Sequence, residues 1–206
     1  MARRKVDISL KKQAKQRRSL ATVAAIVEAG TYILRRRGAR GFTANSVAEK
    51  AGVNIASFYQ YFPNKQALLF HIARITWERQ LAALSPVLKR EGNDHAVKLR
   101  DFIREFFRVE AAEADLRRAL RLASVDLSHT AEFRALLAQG AALTRSFLIE
   151  ALGNDGGADL DFNVAFMVTL VTSFAERTTD DGASGDDLQR QADLVADMLA
   201  TRFGIL

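Results

Sequence analysis

The sequence predicts an all-α protein, and three observations carry that prediction. Only two prolines, Pro63 and Pro86, and twelve glycines interrupt 206 residues. Apolar residues recur at i, i+3, i+4 spacing over long stretches, whereas the short alternating runs between turn residues that mark strands are missing. Apolar residues make up 49% and charged residues 26% of the chain, the balance of a globular protein with length for one sizeable core or two small ones.

A first helix is expected from Ser19, a suitable N-cap, with Val23, Ile26, Val27, Gly30, Ile33 and Leu34 on one stripe. Arg35, Arg36 and Arg37 fall in its last turn, where cations oppose the negative end of the dipole, and Gly38 suits a left-handed stop. A short helix follows from Thr43 as N-cap, through Ser46, Val47, Ala48 and Ala51, to Gly52. Asn54 caps a third over 55–62, which Pro63 ends. Two short helices joined through Ala51, Gly52 and Val53 are the signature of a helix-turn-helix.

A longer helix from Asn64 to Leu84 carries Leu68, Leu69, Ile72 and Ile75, has Trp77 as an anchor, and bridges two domains. Three amphipathic stripes follow: Leu99, Phe102, Ile103, Phe106 and Phe107; Leu116, Ala119, Leu120 and Ala123; then Phe133, Leu136, Leu137, Gly140, Thr144, Phe147 and Leu148. The helix over 160–175 is apolar almost all round, so it must be covered all round. Either its own domain does this alone, or a second subunit covers one side. The second arrangement is expected, with Phe166, Leu170, Phe174, Val195, Met198 and Leu199 forming a four-helix homodimer interface across a two-fold axis.

Charge divides the chain. Residues 1–65 hold 14 Lys and Arg against 3 Asp and Glu, a balance of +11, whereas 66–206 hold 16 against 21, a balance of −5. A basic segment of this strength suits a polyanion such as nucleic acid, or is a solvated tail. The absence of cysteine excludes disulfides, thiolate nucleophiles and iron–sulfur clusters. The basic N-terminus has no apolar core of a signal peptide, and no run of about 18 apolar residues occurs, so a cytoplasmic protein without membrane insertion is expected. His71, His95 and His129 lack metal-ligand spacing, and no metal or cofactor is expected. Phosphate-binding glycine loops, nucleophile elbows and zinc-protease motifs are also missing, so the protein is not expected to be an enzyme.

Thr43, Val47-Ala48, Ala51-Gly52-Val53, Tyr59-Gln60-Tyr61-Phe62 and Asn64-Lys65 stand at spacings that closely resemble the DNA-binding signature of the tetracycline-repressor (TetR) family. That resemblance covers the N-terminal third. It implies an all-helical homodimer with a three-helix DNA-binding domain over 19–65, after the basic disordered tail that charge marks over 1–18, and a variable ligand-binding and dimerisation domain over 66–206. The implied function is a one-component transcriptional repressor that binds a palindromic double-stranded DNA operator and is released by a small effector.

The resemblance places Thr43, Tyr59, Tyr61 and Lys65 on the DNA backbone. Thr43 and Lys65 stand at helix N-termini, where free amides favour a phosphate. Base reading falls to Asn45 and to Asn54, Ile55, Ala56 and Ser57 in the first turn of the third helix. An Asn can pair bidentately with adenine, Ile55 and Ala56 can meet a thymine methyl, and no Arg or Gln stands ready for guanine. A·T contacts and DNA shape are therefore expected to matter, with Arg17 or Arg18 reaching a minor groove. Ile55 has a second reading as a core residue; Ala24, Val47, Ala48, Val53, Phe58 and Phe62 are expected in the core.

In the body, His71, Trp77, Phe102, Phe106, Phe133, Phe147 and Phe166 form either the apolar wall of an effector pocket or simply core. A pocket of this composition suits an apolar or amphiphilic effector. Arg100, Arg104 and Arg108 form an i, i+4 stripe interleaved with Asp101 and Glu105, which reads as a solvated face of ion pairs or as an anion clamp.

Overall fold

A computed structural model describes residues 7–9, 11, 17–92, 94–153 and 159–205. Among these, nine helices and no strand occur: α1 (Arg17–Gly41), α2 (Ala44–Lys50), α3 (Ile55–Tyr61), α4 (Lys65–Leu88), α5 (His95–Ala112), α6 (Ala114–Ala123), α7 (Ala131–Leu152), α8 (Leu160–Asp180) and α9 (Gly185–Phe203). The chain divides into two compact units. One, the head, contains the chain up to Thr76 together with Asp115–Phe133; the other, the body, comprises Trp77–Ala114 and Arg134–Leu206.

The head forms around one apolar cluster. Ile26, Ile33 and Leu34 of α1 meet Val47 and Ala48 of α2, Phe58 and Phe62 of α3, Leu68, Leu69 and Ile72 of α4, and Leu116 and Leu120 of α6. Fully burying each large side chain contributes about 1.5–3 kcal/mol, so these short helices are held by packing rather than by their own propensity. Ala24, expected in this core, is exposed: it lies on the outer side of α1, about 160° around the axis from the buried Ile26. Gly38 has φ 60° with ψ −164°, an extended conformation open to glycine rather than the left-handed helical stop expected of it, and α1 resumes for a further turn to Gly41 and delivers Phe42 into the core.

Residues that charge alone assigns to a free tail are tied to the head. Ile8 is buried in its core, Asn64 Nδ2 donates to the Asp7 carbonyl at 2.8 Å, and Lys11 N–H donates to the Tyr61 carbonyl at 3.1 Å. The segment 1–6 lies outside the described residues.

The body is built on α5 and α9. The stripe Leu99, Phe102, Ile103, Phe106 and Phe107 packs with Ala192, Val195, Ala196 and Leu199, whose two alanines allow close approach. Arg104 forms a bidentate pair with Asp193 at 2.6 and 2.8 Å, and Arg100 pairs with Asp197. The rising arginine numbers meet falling aspartate numbers, so the two helices run antiparallel. The arginine stripe is therefore an ion-paired face. α4 continues through Pro86 to Leu88 instead of stopping at Leu84, because Leu84 and Leu88 are both buried in the body core.

α8 buries Val164, Met167, Val171 and Ala175 along one side, while Phe162, Ala165, Thr169 and Ser173 on the other side are exposed. Within one chain it is half covered. On α9, Val195 and Leu199 belong to the body core and are not free to form a subunit interface; Leu194 and Met198, offset by one residue or about 100°, face outward. α7 alone among the described helices is long and apolar enough for a membrane crossing by composition, but it carries Glu132, Arg134, Arg145 and Glu150.

The Arg104 hydrogen bonds hold the Asp193 carboxyl below the usual carboxylate range. A depressed folded value means that the pair contributes above about pH 4, the unfolded range, and that its contribution is lost as pH falls through the lower folded value. Asp193→Asn is therefore expected to lower the melting temperature by less than about 3 °C at pH 7, because the pair is partly solvated. The difference from wild type should shrink progressively in melts recorded at decreasing pH below about 4, and a difference independent of pH would contradict the pairing.

Candidate nucleic-acid interface and effector cavity

The helix-turn-helix is assembled by caps that the sequence encodes. Thr43 Oγ1 accepts from Ser46 N–H at 3.1 Å and Ser46 Oγ accepts from Thr43 N–H at 3.1 Å, a reciprocal capping box at the start of α2. The amides of Ala44 and Asn45 are those the helix does not use, and Thr43 and Asn45 are exposed beside them. Gly52, with φ 65°, turns the chain between α2 and α3. Asn54 Oδ1 accepts from Ala56 N–H at 2.8 Å and caps α3. That oxygen is already engaged, so a bidentate contact from Asn54 to adenine would release the cap.

α3 has one inner and one outer face. Phe58 and Tyr61 are buried, and Ile55 packs against the same core, so the core reading of Ile55 is the one the fold supports: residues at i, i+3 and i+6 are what a two-turn helix can bury. Ala56, Tyr59 and Gln60 form the exposed face, with Ser57 half-buried at its edge. Tyr59 is 45% exposed, its ring standing edge-on to Phe58 at 5.4 Å, whereas Tyr61 is 5% exposed. Lys65 is exposed at the first position of α4, where Asn64 Oδ1 caps by accepting from Ala67 N–H at 2.8 Å. Arg17 and Arg18 lie in the first turn of α1; their side chains are outside the described residues.

The body contains a cavity of about 260 Å³. Its wall comes from Trp77, Leu81 and Leu84 of α4, Phe102 and Phe106 of α5, Leu137, Gly140, Leu143 and Thr144 of α7, and Met167, Val168, Val171, Thr172 and Glu176 of α8. Gly140 is needed there, since a Cβ at that position would stand 2.9 Å from Trp77 Cζ2. Of the seven side chains expected in a pocket wall, Trp77, Phe102 and Phe106 meet. His71 does not join them: six residues before Trp77 on α4 it points about 240° away, and its ring packs on Phe62 in the head at 5.6 Å. Phe133 also belongs to the head, beside Phe70 at 6.4 Å. Phe147 lines a neighbouring groove of about 310 Å³, and Phe166 is half-buried on α8, stacked with exposed Phe162 at 6.2 Å.

Residues 26–72 match the family model described as bacterial regulatory proteins, tetR family. That match lies within the head. Over the whole chain, SmeT, the repressor of the Stenotrophomonas maltophilia multidrug efflux pump SmeDEF, superposes with a TM-score of 0.70 at 19% identity, over 91% of this chain and 94% of that one. The fatty acid degradation regulator FadR from Bacillus halodurans superposes at 0.68 with 16% identity over 91% and 96%. FadR from Bacillus subtilis, in complex with stearoyl-CoA, does so at 0.67 with 17% identity over 85% and 96%. At such identities the likeness is one of fold, and the chain has the fold of tetR-family transcriptional regulators. No curated protein matches it in sequence.

Two features of this head had not been expected from the sequence. Gln60 shares the exposed face of α3 with Ala56, one turn away, so a glutamine stands on the outward side of this helix. Lys50 at the end of α2 lies over the Tyr32 ring of α1, 4.1 Å from its centroid, a cation held between two helices of the head. The Gln60 signal was present as an i+4 partner of Ala56; the Lys50 contact joins residues on two helices and had no sequence signal.

Thr43→Ala removes the cap of α2 and one half of the capping box. Denaturant unfolding is expected to register a loss of about 1 kcal/mol. An unchanged midpoint would mean that α2 does not depend on its cap.

Proposed function

We propose that this protein is a ligand-responsive transcriptional repressor that binds a palindromic double-stranded DNA operator as a homodimer and is released when a small molecule enters the body cavity. The observation that carries the reading is the outward face of α3, Ala56, Tyr59 and Gln60, set between the exposed N-termini at Thr43 and Lys65 in a segment of +11 charge. On this reading Thr43, Tyr59 and Lys65 hold phosphates, and Tyr61 does so only with what its 5% exposure leaves. Asn45, Ala56, Ser57 and Gln60 face base edges, with Gln60 suited to bidentate pairing with adenine. Arg17 and Arg18 serve as the minor-groove arm. The roles divide as DNA binding over 19–65 and ligand binding with dimerisation over 66–206, and the protein acts in the cytoplasm.

Release follows from the continuity of α4. A molecule in the cavity touches Trp77, Leu81 and Leu84, while earlier turns of the same helix place Leu68, Leu69 and Ile72 in the head core. An effector that prefers one orientation of α4 by a few kcal/mol is enough to move the two heads of a dimer off successive major grooves about 34–36 Å apart. The competing reading, an architectural DNA binder whose body docks a protein, requires no cavity, and the cavity in the body favours the repressor.

Selection of genomic fragments at about physiological salt tests the function. Wild-type protein should recover one inverted repeat, and Lys65→Ala combined with Tyr59→Phe should weaken binding to every fragment and lower the salt slope by about 1 per phosphate lost. Gln60→Ala should instead change which base is preferred. Recovery of all fragments equally, with no repeat, would overturn the operator reading.

The dimer is proposed to form on the uncovered faces of α8 and α9. Phe162 at 61% and Met198 at 53% exposure lie there with Phe166 and Leu194, and Leu170 and Phe174 stand half-buried beside them. Phe166→Asp with Met198→Asp should turn a dimer into a monomer in sedimentation while helix content is kept, whereas Leu199→Asp should unfold the body. A double variant that remains dimeric would place the interface elsewhere.

A further inference from the structure

The body cavity differs from its surroundings in charge. Elsewhere the body is rich in ion pairs, with Arg100, Arg104, Arg108 and Arg145 each bound to a carboxylate. Yet among the described residues that line the cavity none is Lys, Arg or His, and the one ionisable side chain is Glu176. An anion entering this space would shed its water without meeting a counter-charge and would face a carboxylate, both of which oppose it. Glu176 already interacts with another group of the protein, so a cationic guest would have to compete with that interaction. What remains is a neutral guest.

The wall also specifies a polar feature for that guest. Trp77 lines the cavity, and among the described residues its indole Nε1–H finds no hydrogen-bond partner; the atom is covered by the wall, so a guest reaches it when the ring turns. A buried donor left unmade is costly, so a ligand that brings an acceptor to it recovers that free energy. A Cβ at position 140 would stand 2.9 Å from the ring's Cζ2, so the ring edge lies directly beside this glycine. As to size, an engineered apolar cavity of about 150 Å³ holds benzene, so about 260 Å³ corresponds to a molecule of two rings.

We propose that the effector is an uncharged, two-ring-sized apolar molecule carrying one hydrogen-bond acceptor, which it presents to Trp77 Nε1, and that the cavity discriminates against organic anions such as carboxylates and acyl phosphates. This rests on the reading of the cavity as the effector site and adds the chemical class of the effector.

Four probes with one ring system separate the possibilities: 2-acetylnaphthalene, neutral with an acceptor; 2-naphthoate, its anionic counterpart of nearly the same shape; 2-naphthylmethylammonium, a cation; and naphthalene, with no acceptor. Trp77 is the one tryptophan of the chain, so its emission reports binding at this wall in the full-length protein. The ketone and naphthalene are expected to quench it saturably, with the ketone tighter and both charged probes at least about tenfold weaker than the ketone. In Trp77→Phe, followed by calorimetry, the ketone should lose its advantage over naphthalene, by about three- to tenfold, while both still bind. Gly140→Leu should abolish binding of all four with the helical signal retained.

Naphthoate or the ammonium binding as tightly as the ketone would overturn the inference and leave the effector cavity standing. A ketone advantage that survives Trp77→Phe would overturn the role of the indole. Binding unaffected by Gly140→Leu, or no saturable binding by any probe, would remove the cavity reading itself and the inference with it.

Discussion

A helix of two turns does not hold itself together in water, so everything α3 can do depends on what holds it in place. Phe58 and Phe62, both fully buried with ring centroids 5.8 Å apart, tie it to the core that α1, α2 and α4 share. The same burial fixes its rotation. With Ile55, Phe58 and Tyr61 turned inward, the 100° step of the helix leaves Ala56, Tyr59 and Gln60 pointing away from the protein. The outward face of α3 is thus what the packing of the opposite face leaves over.

Caps and packing have separate tasks in this head. Thr43 with Ser46, Asn54 and Asn64 each satisfy amides at a helix start, and they set where α2, α3 and α4 begin. They do not determine how the helices sit together, which the apolar cluster decides. Asn54 illustrates the competition: as a cap its oxygen serves the fold, and that limits what the side chain can offer to a base.

The body uses ion pairs and small residues for register and leaves large aromatics to shape space. Arg100 with Asp197 and Arg104 with Asp193 fix α5 against α9 in antiparallel register, while Ala192 and Ala196 let the helices come close. Around the cavity the pattern is reversed. Gly140 makes room for Trp77, the phenylalanines come from one face of α5, and the paired arginines all lie elsewhere, so the enclosed space is apolar although the body carries much charge.

The sequence by itself determined the helical class, the caps at Thr43 and Asn54, the helix-turn-helix and the charge of the first third, because these depend on residues at most a few positions apart. It also indicated that α8 needs more cover than one side can provide. Only the tertiary structure decided that Ile55 and Tyr61 turn inward while Gln60 turns out, that residues 115–133 join the head, and that Val195 and Leu199 belong to the core while Leu194 and Met198 remain outside. It likewise parted His71 from Trp77, which share a helix but not a face. The physical reason is common to all of these: periodicity gives the angle between residues on one helix, whereas which angle faces the core is set by side chains contributed from distant parts of the chain.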